Sequence, residues 1–194
     1  MLCEARHPVQ GNAAAMSAHQ AEFVRIRSSS PARTRELGRL LGERLEPGDV
    51  LALAGELGAG KTELVRGVAA GLGIPPAAVR SPTFTLVNRY QGERGTLVHV
   101  DAYRLGGPQA LLELGLEQVF VPEAAVCVEW APRVAAALPA ARLEIELEHA
   151  GARTRLLRLR PHGARARALL QALAAAGQLQ PAEGAAPEGG RACG

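Results

Sequence analysis

One short segment constrains the fold of this chain more than any other. It reads Gly55-Glu-Leu-Gly-Ala-Gly-Lys-Thr62, the pattern G-x4-G-K-[ST]. A continuous apolar run, residues 50–54, precedes it, and a pattern with helical periodicity begins at Lys61. Continuous apolar strands are typical of parallel sheets whose two faces are covered by helices. The segment therefore predicts an α/β protein in which a glycine loop joins a buried strand to a helix.

The predicted loop has the chemistry of a phosphate-binding site. Its glycines allow positive φ angles, so that consecutive backbone N–H groups point at one anion, and the following helix directs the positive end of its dipole to the same place. In this pattern the lysine reaches the β- and γ-phosphates of a nucleotide, and the threonine hydroxyl binds Mg²⁺. The predicted nucleotide-binding residues of the loop are Gly55, Glu56, Leu57, Gly58, Ala59, Gly60, Lys61 and Thr62, of which Thr62 is also a predicted metal ligand.

The composition of the chain points to the same lysine. Of the 22 basic residues, only Lys61 is a lysine. A compact ammonium on a flexible stem fits a nest of phosphate oxygens, whereas the planar guanidinium of arginine fits there poorly. The single lysine also excludes the Asn-Lys-x-Asp motif with which GTPases read guanine, because Lys61 already belongs to the loop.

Two further apolar runs end in an acidic residue. Residues 97–101 end in Asp101, one of only two aspartates in the chain, and residues 125–129 end in Glu129. A magnesium-assisted phosphate site needs a carboxylate at the end of a strand beside the strand of the loop. We therefore predict that both acids belong to the site. His99, inside the first run, is expected to be a packed or hydrogen-bonded imidazole rather than a ligand.

Two other residues are candidates because of their positions. Ser81-Pro82-Thr83 lies between the first helix after the loop and a predicted strand, where phosphate-sensing segments are often found. Thr83 is a candidate to reach the γ-phosphate or the attacking water, and a turn that caps the strand is the alternative. Trp130, the only tryptophan, follows Glu129 directly and is expected at the rim of the site.

The remaining pattern predicts one domain with two extensions. Residues 1–20 and 178–194 are rich in small and polar residues and are predicted to be disordered, with Met16 as an alternative start, whereas residues 21–177 alternate strands and helices. The predicted fold class is α/β, with three layers, a mostly parallel sheet and an appended antiparallel hairpin. Among the predicted elements are a strand, a helix and the hairpin, which span residues 83–90, 108–119 and 142–160.

Several classes of protein are excluded by the sequence. No stretch has the ~18 consecutive apolar residues that cross a membrane, and the N-terminus lacks the apolar core of a secretory signal. The three cysteines, Cys3, Cys127 and Cys193, are scattered, which argues against a disulfide framework or a zinc site. Cys127 is expected to be a buried thiol. These features predict a cytoplasmic protein with no membrane partner.

A basic cluster follows the predicted site along the chain. Glutamates on the facing strand predict a solvated ladder of cross-strand pairs, Glu146 with Arg155 and Glu148 with Arg153. The alternative is a contact with RNA or another protein, although a net charge of +3 and an aromatic content of 3% do not favour nucleic-acid binding. The cluster consists of Arg153, Arg155, Arg158, Arg160, Arg165 and Arg167.

Four segments together resemble the TsaE family. They are GELGAGKTELVRG, SPTFTLVNRY, HVDAYRL and CVEW, in this order, and the resemblance extends from about residue 23 to residue 173. Members of that family are small bacterial P-loop ATPases with a three-layer P-loop NTPase-like fold. They are needed to form N6-threonylcarbamoyladenosine at position 37 of tRNAs, and they act with the TsaB–TsaD heterodimer, in which TsaD transfers the threonylcarbamoyl group.

The resemblance implies cofactors, partners and roles for individual residues. The implied cofactors are ATP and Mg²⁺, and the implied partner is TsaB–TsaD, with an indirect or weak contact to tRNA. The implied roles are phosphate and Mg²⁺ binding for Lys61 and Thr62, metal binding for Glu129, hydrolysis for Thr83 and Asp101, proximity to the nucleotide for Trp130, and contact with the base for Thr34.

Two other functions are compatible with a phosphate loop. A small-molecule P-loop kinase would need an arginine-rich lid and a pocket for the acceptor, and no lid-like insertion is evident between Asp101 and Glu129. A nucleotide-dependent interaction module, whose turnover resets a complex, overlaps with the family function. The kinase therefore remains the alternative enzymatic hypothesis.

Overall fold

The computed structural model of the protein describes residues 23–178. The predicted extension over residues 1–20, with Met16, and the predicted tail over residues 178–194, apart from Gln178, lie outside the described residues, so both stay predictions. The strands are β1 (Val24–Ser28), β2 (Val50–Gly55), β3 (Val87–Gly92), β4 (Gly95–Asp101), β5 (Ala124–Glu129), β6 (Arg142–His149) and β7 (Arg155–His162). The α-helices are α1 (Pro31–Gly42), α2 (Lys61–Gly71), α3 (Pro108–Glu113) and α4 (Gly163–Ala175), and short 3₁₀ helices span Pro76–Ala78, Leu116–Val119 and Ala131–Ala137.

The seven strands of the described residues form one sheet. Their order is β1-β7-β6-β2-β5-β4-β3. The four central strands, β6, β2, β5 and β4, are parallel, whereas β1, β7 and β3 run antiparallel to their neighbours. The predicted sheet with an appended hairpin is confirmed, and its antiparallel part is larger than expected because both edge strands belong to it.

Helices cover both faces of the sheet, which gives the three layers that the sequence predicts. Helices α1, α2 and α4 bury one core, to which Leu51 and Leu64 belong, and α3 and the segment Ala131–Ala137 cover a second core on the other face, to which Val50 belongs. Adjacent residues of β2 enter different cores because side chains alternate along a strand. Cys127 is fully buried, as predicted, and burial raises the pKa of its thiol.

Helices α1 and α2 pack with their backbones in direct contact. A Cβ on Gly67 would overlap the carbonyl oxygen of Arg35, and one on Gly38 would overlap the carbonyl oxygen of Leu64. The absence of side chains at these positions therefore sets how closely the helices approach. This packing supports α2, the helix that follows the glycine loop. The four glycines of the contact are Gly38 and Gly42 on α1 and Gly67 and Gly71 on α2.

The predicted strand over residues 83–90 begins later than expected. Residues 83–86 form a turn, in which the Leu86 N–H donates to the carbonyl oxygen of Pro82, and β3 starts at Val87. Leu86 has a φ angle of 63°, in the left-handed region. A bulky residue there costs ~1–2 kcal/mol, so the turn is held by contacts that alternation of apolar residues does not reveal.

The predicted helix over residues 108–119 is broken in two. Helix α3 ends at Glu113, Gly115 adopts a left-handed φ of 65°, and a 3₁₀ helix follows. A left-handed glycine is a common way to end a helix. No helix within residues 23–178 has the length and apolarity needed to cross a membrane.

The predicted cross-strand pairs of the hairpin are wrong. The turn occupies five residues, 150–154, so β7 begins at Arg155 and its register is shifted. Glu146 lies opposite Arg158, whose guanidinium contacts Glu146 at 3.5 Å and Glu148 at 3.0 Å. Arg155 is left without a glutamate opposite and points to a different partner, described below.

Because α1 and α2 are in close contact, we expect a glycine-to-alanine substitution between them to destabilise the protein, although helix propensity alone favours alanine. Replacing glycine by alanine inside a helix normally stabilises it by ~1 kcal/mol. We expect Gly67→Ala instead to lower the free energy of unfolding by about 1–3 kcal/mol, because the added methyl forces the two helices apart. Urea unfolding measures this change.

Gly106→Ala is the control for this substitution. A Cβ at Gly106 meets no atom within 4 Å. The free energy of unfolding of the Gly106→Ala variant should therefore stay within ~0.5 kcal/mol of the wild-type value. Stabilisation of the Gly67→Ala variant would contradict the described packing of α1 on α2.

Candidate functional site

The loop and the two acids predicted for the site meet at one edge of the sheet. Strands β2, β5 and β4 are adjacent and parallel, so their carboxyl ends lie side by side. The glycine loop follows β2, Glu129 is the last residue of β5, and Asp101 is the last residue of β4. In the sheet register Glu129 lies opposite Leu53 on one side and opposite Asp101 on the other. Both predicted acids are therefore on the edge where the loop begins.

The loop has the backbone conformation that the sequence predicts. Gly55, Gly58 and Gly60 have φ angles of 141°, 75° and 101°, which L side chains rarely adopt. Gly55 is also confined by its neighbour, since a Cβ there would lie 2.5 Å from the carbonyl oxygen of Leu147. Helix α2 begins at Lys61, directly after the loop, so the N–H groups of its first turn lie at the end of the loop without helical partners.

Lys61 is buried against the loop rather than extended into solvent. Its Nζ donates hydrogen bonds to the carbonyl oxygens of Gly55, at 2.7 Å, and Glu56, at 2.9 Å, and lies 3.9 Å from the centre of the Trp130 ring. Burial lowers the pKa of the ammonium, while neighbouring carboxylates, first among them Glu129, act in the opposite direction. The charged form is thus held at a cost that a bound anion would offset.

Glu129 connects the loop to a buried histidine. Its Oε1 atom accepts a hydrogen bond from Thr62 Oγ1 at 2.8 Å and lies 2.9 Å from His99 Nε2. Because a carboxylate only accepts hydrogen bonds, Nε2 carries the proton, and Nδ1 has no partner among the described residues. His99 is therefore a hydrogen-bonded imidazole, as predicted, and it orients the acid that the sequence assigns to the metal.

The oxygens of Thr62 and Glu129 are of the kind that magnesium binds. Mg²⁺ takes hard oxygen ligands and is usually held by one or two protein side chains together with phosphate oxygens and water. The structure brings the Thr62 hydroxyl and the Glu129 carboxylate within 2.8 Å of each other at the start of α2. The donor set fits the ion, and its binding stays a prediction.

Asp101 is held in place by three hydrogen bonds. Its Oδ2 atom accepts from Thr83 Oγ1 at 2.8 Å and from Ser81 Oγ at 3.1 Å, and Oδ1 accepts from the N–H of Tyr103 at 2.9 Å. The N–H of Asp101 in turn donates to the carbonyl oxygen of Leu86 at 2.9 Å. The turn that was the alternative interpretation of Thr83 is present, and the same turn places the Thr83 hydroxyl on Asp101.

Trp130 lies at the rim of the site in a strained conformation. Its φ angle is 59°, which costs ~1–2 kcal/mol for a residue with a side chain. The ring lies over Lys61, and its centre is 4.9 Å from that of Tyr103. Arg133 donates hydrogen bonds to the carbonyl oxygens of Tyr103 and Leu105 and so fixes the segment that carries the second ring.

Thr34 is described in the first turn of α1, and its predicted role is untested. Its side chain is buried, and its hydroxyl lies 2.8 Å from Ser28 Oγ and donates to the carbonyl oxygen of Ser30 at 3.4 Å. These bonds fix the start of α1 on the end of β1. Contact between this segment and a nucleotide base stays a prediction.

Three residues of the site were not predicted from the sequence. Ser81 and the N–H of Tyr103 both bind Asp101, and each lies two residues from a predicted site residue, Thr83 or Asp101, which was the signal available. Arg155 contacts the loop across 96 positions of sequence. No local pattern connects two such distant segments.

The fold and the site together define a class of protein. A glycine loop after a central parallel strand, followed by a helix and flanked by a sheet with helices on both faces, is the P-loop NTPase-like fold. Residues 28–157 match the profile of the family described as threonylcarbamoyl adenosine biosynthesis protein TsaE. The chain belongs to the TsaE family, as the sequence segments predict.

Individual relatives and a solved structure agree with this assignment. The tRNA threonylcarbamoyladenosine biosynthesis protein TsaE of Bacillus subtilis is 39% identical over 128 residues, which cover 66% of this chain and 79% of that protein. The protein of the same name from Streptomyces coelicolor is 44% identical over 119 residues, or 60% and 79% of the two chains. The crystal structure of YdiB from Bacillus subtilis superposes with a TM-score of 0.69 at 33% identity, over 82% of this chain and 99% of that one.

The contact between Lys61 and Trp130 predicts an optical signal for nucleotide binding. Trp130 is the only tryptophan, so all tryptophan emission comes from the rim of the site. We expect saturating ATP with magnesium to change this emission, because the ammonium that now lies over the ring would move to the phosphates. Fluorescence titration, with calorimetry to establish saturation, measures the change. Unaltered emission at saturation would place the nucleotide away from Trp130.

Proposed function

We propose that this chain is a P-loop ATPase that binds ATP with Mg²⁺, hydrolyses it slowly and supports the TsaB–TsaD heterodimer in forming N6-threonylcarbamoyladenosine at position 37 of tRNAs. The observation that carries the proposal is the 2.8 Å hydrogen bond from Thr62 to Glu129, which joins the end of the glycine loop to the acid of the neighbouring strand. A magnesium triphosphate needs this combination of loop, hydroxyl and carboxylate. Membership of the TsaE family supports the tRNA pathway.

Binding of ATP begins, in this proposal, at the glycine loop. The loop and the first turn of α2 supply backbone N–H groups for the β- and γ-phosphates. Lys61 exchanges its hydrogen bonds with the carbonyl oxygens of Gly55 and Glu56 for bonds with phosphate oxygens. The exchange is favourable because the buried ammonium then faces full negative charges rather than carbonyl dipoles.

The metal site uses Thr62, Glu129 and His99. When bound, magnesium supplies positive charge that neutralises the phosphate oxygens. Thr62 and Glu129 would hold the ion, since the Thr62 oxygen can act as a ligand while its hydroxyl proton is donated to Glu129. His99, which is buried, contacts the same Glu129 oxygen, Oε1, at 2.9 Å and so orients the carboxylate before an ion binds.

Hydrolysis is assigned to Asp101 and Thr83. The 2.8 Å hydrogen bond joins the Thr83 hydroxyl to Asp101, so that the Thr83 oxygen can take a proton from the attacking water as the Thr83 proton passes to the Asp101 carboxylate. Ser81 and the N–H of Tyr103 fix the orientation of the Asp101 carboxylate. A water that is oriented mainly by a hydroxyl is only weakly activated, which fits a slow ATPase.

The proposed partnership with TsaB–TsaD is supported by membership of the TsaE family. Relatives of this chain are named for tRNA threonylcarbamoyladenosine biosynthesis, and the assigned site residues serve a nucleotide and its metal. Slow hydrolysis suits a protein whose ATP turnover serves a complex with other proteins rather than a reaction of its own. Because the modified molecule is tRNA, we place the activity in the cytoplasm.

Replacing Asp101 separates nucleotide binding from turnover. Asp101→Asn keeps the size of the side chain and an acceptor for Thr83, but it removes the charge, so we expect ATP affinity to stay close to the wild type. The hydrolysis rate should fall by ~10²-fold or more, the usual contribution of acid–base groups. Calorimetry measures the ATP affinity, and phosphate release measures the hydrolysis rate. When tRNA modification is reconstituted with TsaB–TsaD, the reaction that contains the variant should lose multiple turnover.

Asp49→Asn is the matched control, since Asp49 is the only other aspartate and pairs with Arg165 at the opposite end of β2. Its hydrolysis rate should equal that of the wild type at a temperature where both are folded. An undiminished rate in Asp101→Asn would remove Asp101 from the mechanism. Transfer of the γ-phosphate to a small-molecule acceptor, instead of release as free phosphate, would favour the kinase and overturn the proposal.

A further inference from the structure

Arg155 stands apart from the other arginines of the basic cluster because its guanidinium lies on the glycine loop. Its Nε donates a hydrogen bond to the carbonyl oxygen of Ala59 at 3.0 Å, and Nη2 donates to that of Gly58 at 3.1 Å. The acid expected to pair with it, Glu146, contacts Arg158 instead. The partners of Arg155 are thus backbone carbonyls of the proposed phosphate site rather than carboxylates.

The guanidinium is itself held firmly on the side away from the loop. Its Nη1 donates to the carbonyl oxygens of Gly151, at 3.1 Å, and Thr154, at 2.8 Å, in the turn between β6 and β7. Arg155 is also the first residue of β7 and is paired in the sheet with Ser28 and His149. The planar guanidinium of Arg155 donates to carbonyl oxygens of the hairpin turn on one side and of the loop on the other, so it fixes the loop relative to the sheet.

Packing holds the loop at Ala59, whose side chain is buried in the core, but not at Gly58. Gly58 has no atom within 4 Å of where a Cβ would lie, so packing does not restrain its backbone. In a trans peptide the N–H of one residue points opposite to the preceding carbonyl. With the carbonyl of Ala59 fixed on Arg155, the N–H of Gly60 is set on the opposite side of the loop. The guanidinium also draws two negative carbonyl dipoles away from a bound anion.

We propose that Arg155 is a positioning residue for the phosphate loop. Through the carbonyls of Gly58 and Ala59 it holds the loop in the conformation that receives the phosphates of a nucleotide, without touching the nucleotide itself. The inference rests on the proposed binding of ATP at this loop, and it adds to that proposal a residue from the far hairpin.

The test compares Arg155→Ala, Arg155→Lys and the control Arg158→Ala, which removes a neighbouring arginine of β7 that contacts glutamates. Hydrogen–deuterium exchange without nucleotide follows the amides of residues 56–61. Calorimetry gives the Kd for ATP with magnesium. In Arg155→Ala we expect faster amide exchange and roughly tenfold weaker ATP binding, because the variant loses the two charge-assisted hydrogen bonds that hold the loop. Arg155→Lys should be intermediate, because one ammonium replaces a two-pronged donor, and Arg158→Ala should match the wild type.

Each result decides the proposal. Wild-type exchange and wild-type ATP affinity in Arg155→Ala, or an equal loss in Arg158→Ala, would overturn it. Where Arg155→Ala does not fold, Arg155→Lys decides, and a wild-type Kd and exchange rate in that variant would overturn it as well. Failure of the wild type to bind ATP would refute the proposed function instead, while the exchange rates would still decide whether Arg155 holds the loop.

Discussion

The site depends on the parallel, in-register pairing of β2, β5 and β4. This pairing puts Glu129 opposite Asp101 and brings both acids to the edge at which the glycine loop leaves β2. A shift of one residue in either pair would turn an acid to the opposite face of the sheet. The close approach of α1 to α2 through their glycines then fixes the helix that starts at Lys61. The positions of Lys61, Glu129 and Asp101 follow from these two contacts.

Buried charges and a strained backbone, both of which cost free energy, lie close together in the site and are offset by the surrounding contacts. Lys61, Asp101 and Glu129 are each at most 5% exposed, and burying charges is costly unless they are paired and hydrogen-bonded. Each of them has partners: loop carbonyls for the lysine, and hydroxyl or imidazole donors for the acids. The left-handed backbone at Trp130 adds strain next to the same groups. Clustering of buried charge and backbone strain in one place is typical of a functional site rather than of a folding core.

Local patterns predicted the features that local sequence determines. The apolar run of β2, the glycines of the loop and the acids at two strand ends are visible in a window of a few residues, so the fold class and the edge of the sheet could be predicted. The register of the hairpin could not, because it depends on how many residues its turn contains. The extension of the Thr83 turn to Leu86 was missed for a similar reason, since a left-handed leucine has no sequence signal.

Most of the features that the sequence did not predict are contacts between segments far apart in the chain. The hydrogen bond between His99 and Glu129 depends on the pairing of β4 with β5, and that of Arg155 with the loop depends on where the hairpin turn lies in space. The sequence predicted that the arginines of the basic cluster pair with facing glutamates in a solvated ladder. The structure shows that Arg155 differs from its neighbours, and that Lys61 is enclosed by carbonyls and an aromatic ring.

The claim that a triphosphate binds at Lys61 is tested most directly by calorimetric titration of ATP with magnesium into the wild type and Lys61→Arg. Arginine preserves the charge and changes only the shape of the cation. We predict a single site in the wild type and, at a temperature where both proteins are folded, binding weaker by ~10-fold or more in the variant, because a planar guanidinium fits a nest of phosphate oxygens poorly. Wild-type affinity in Lys61→Arg would contradict the assignment of the phosphate site to this loop.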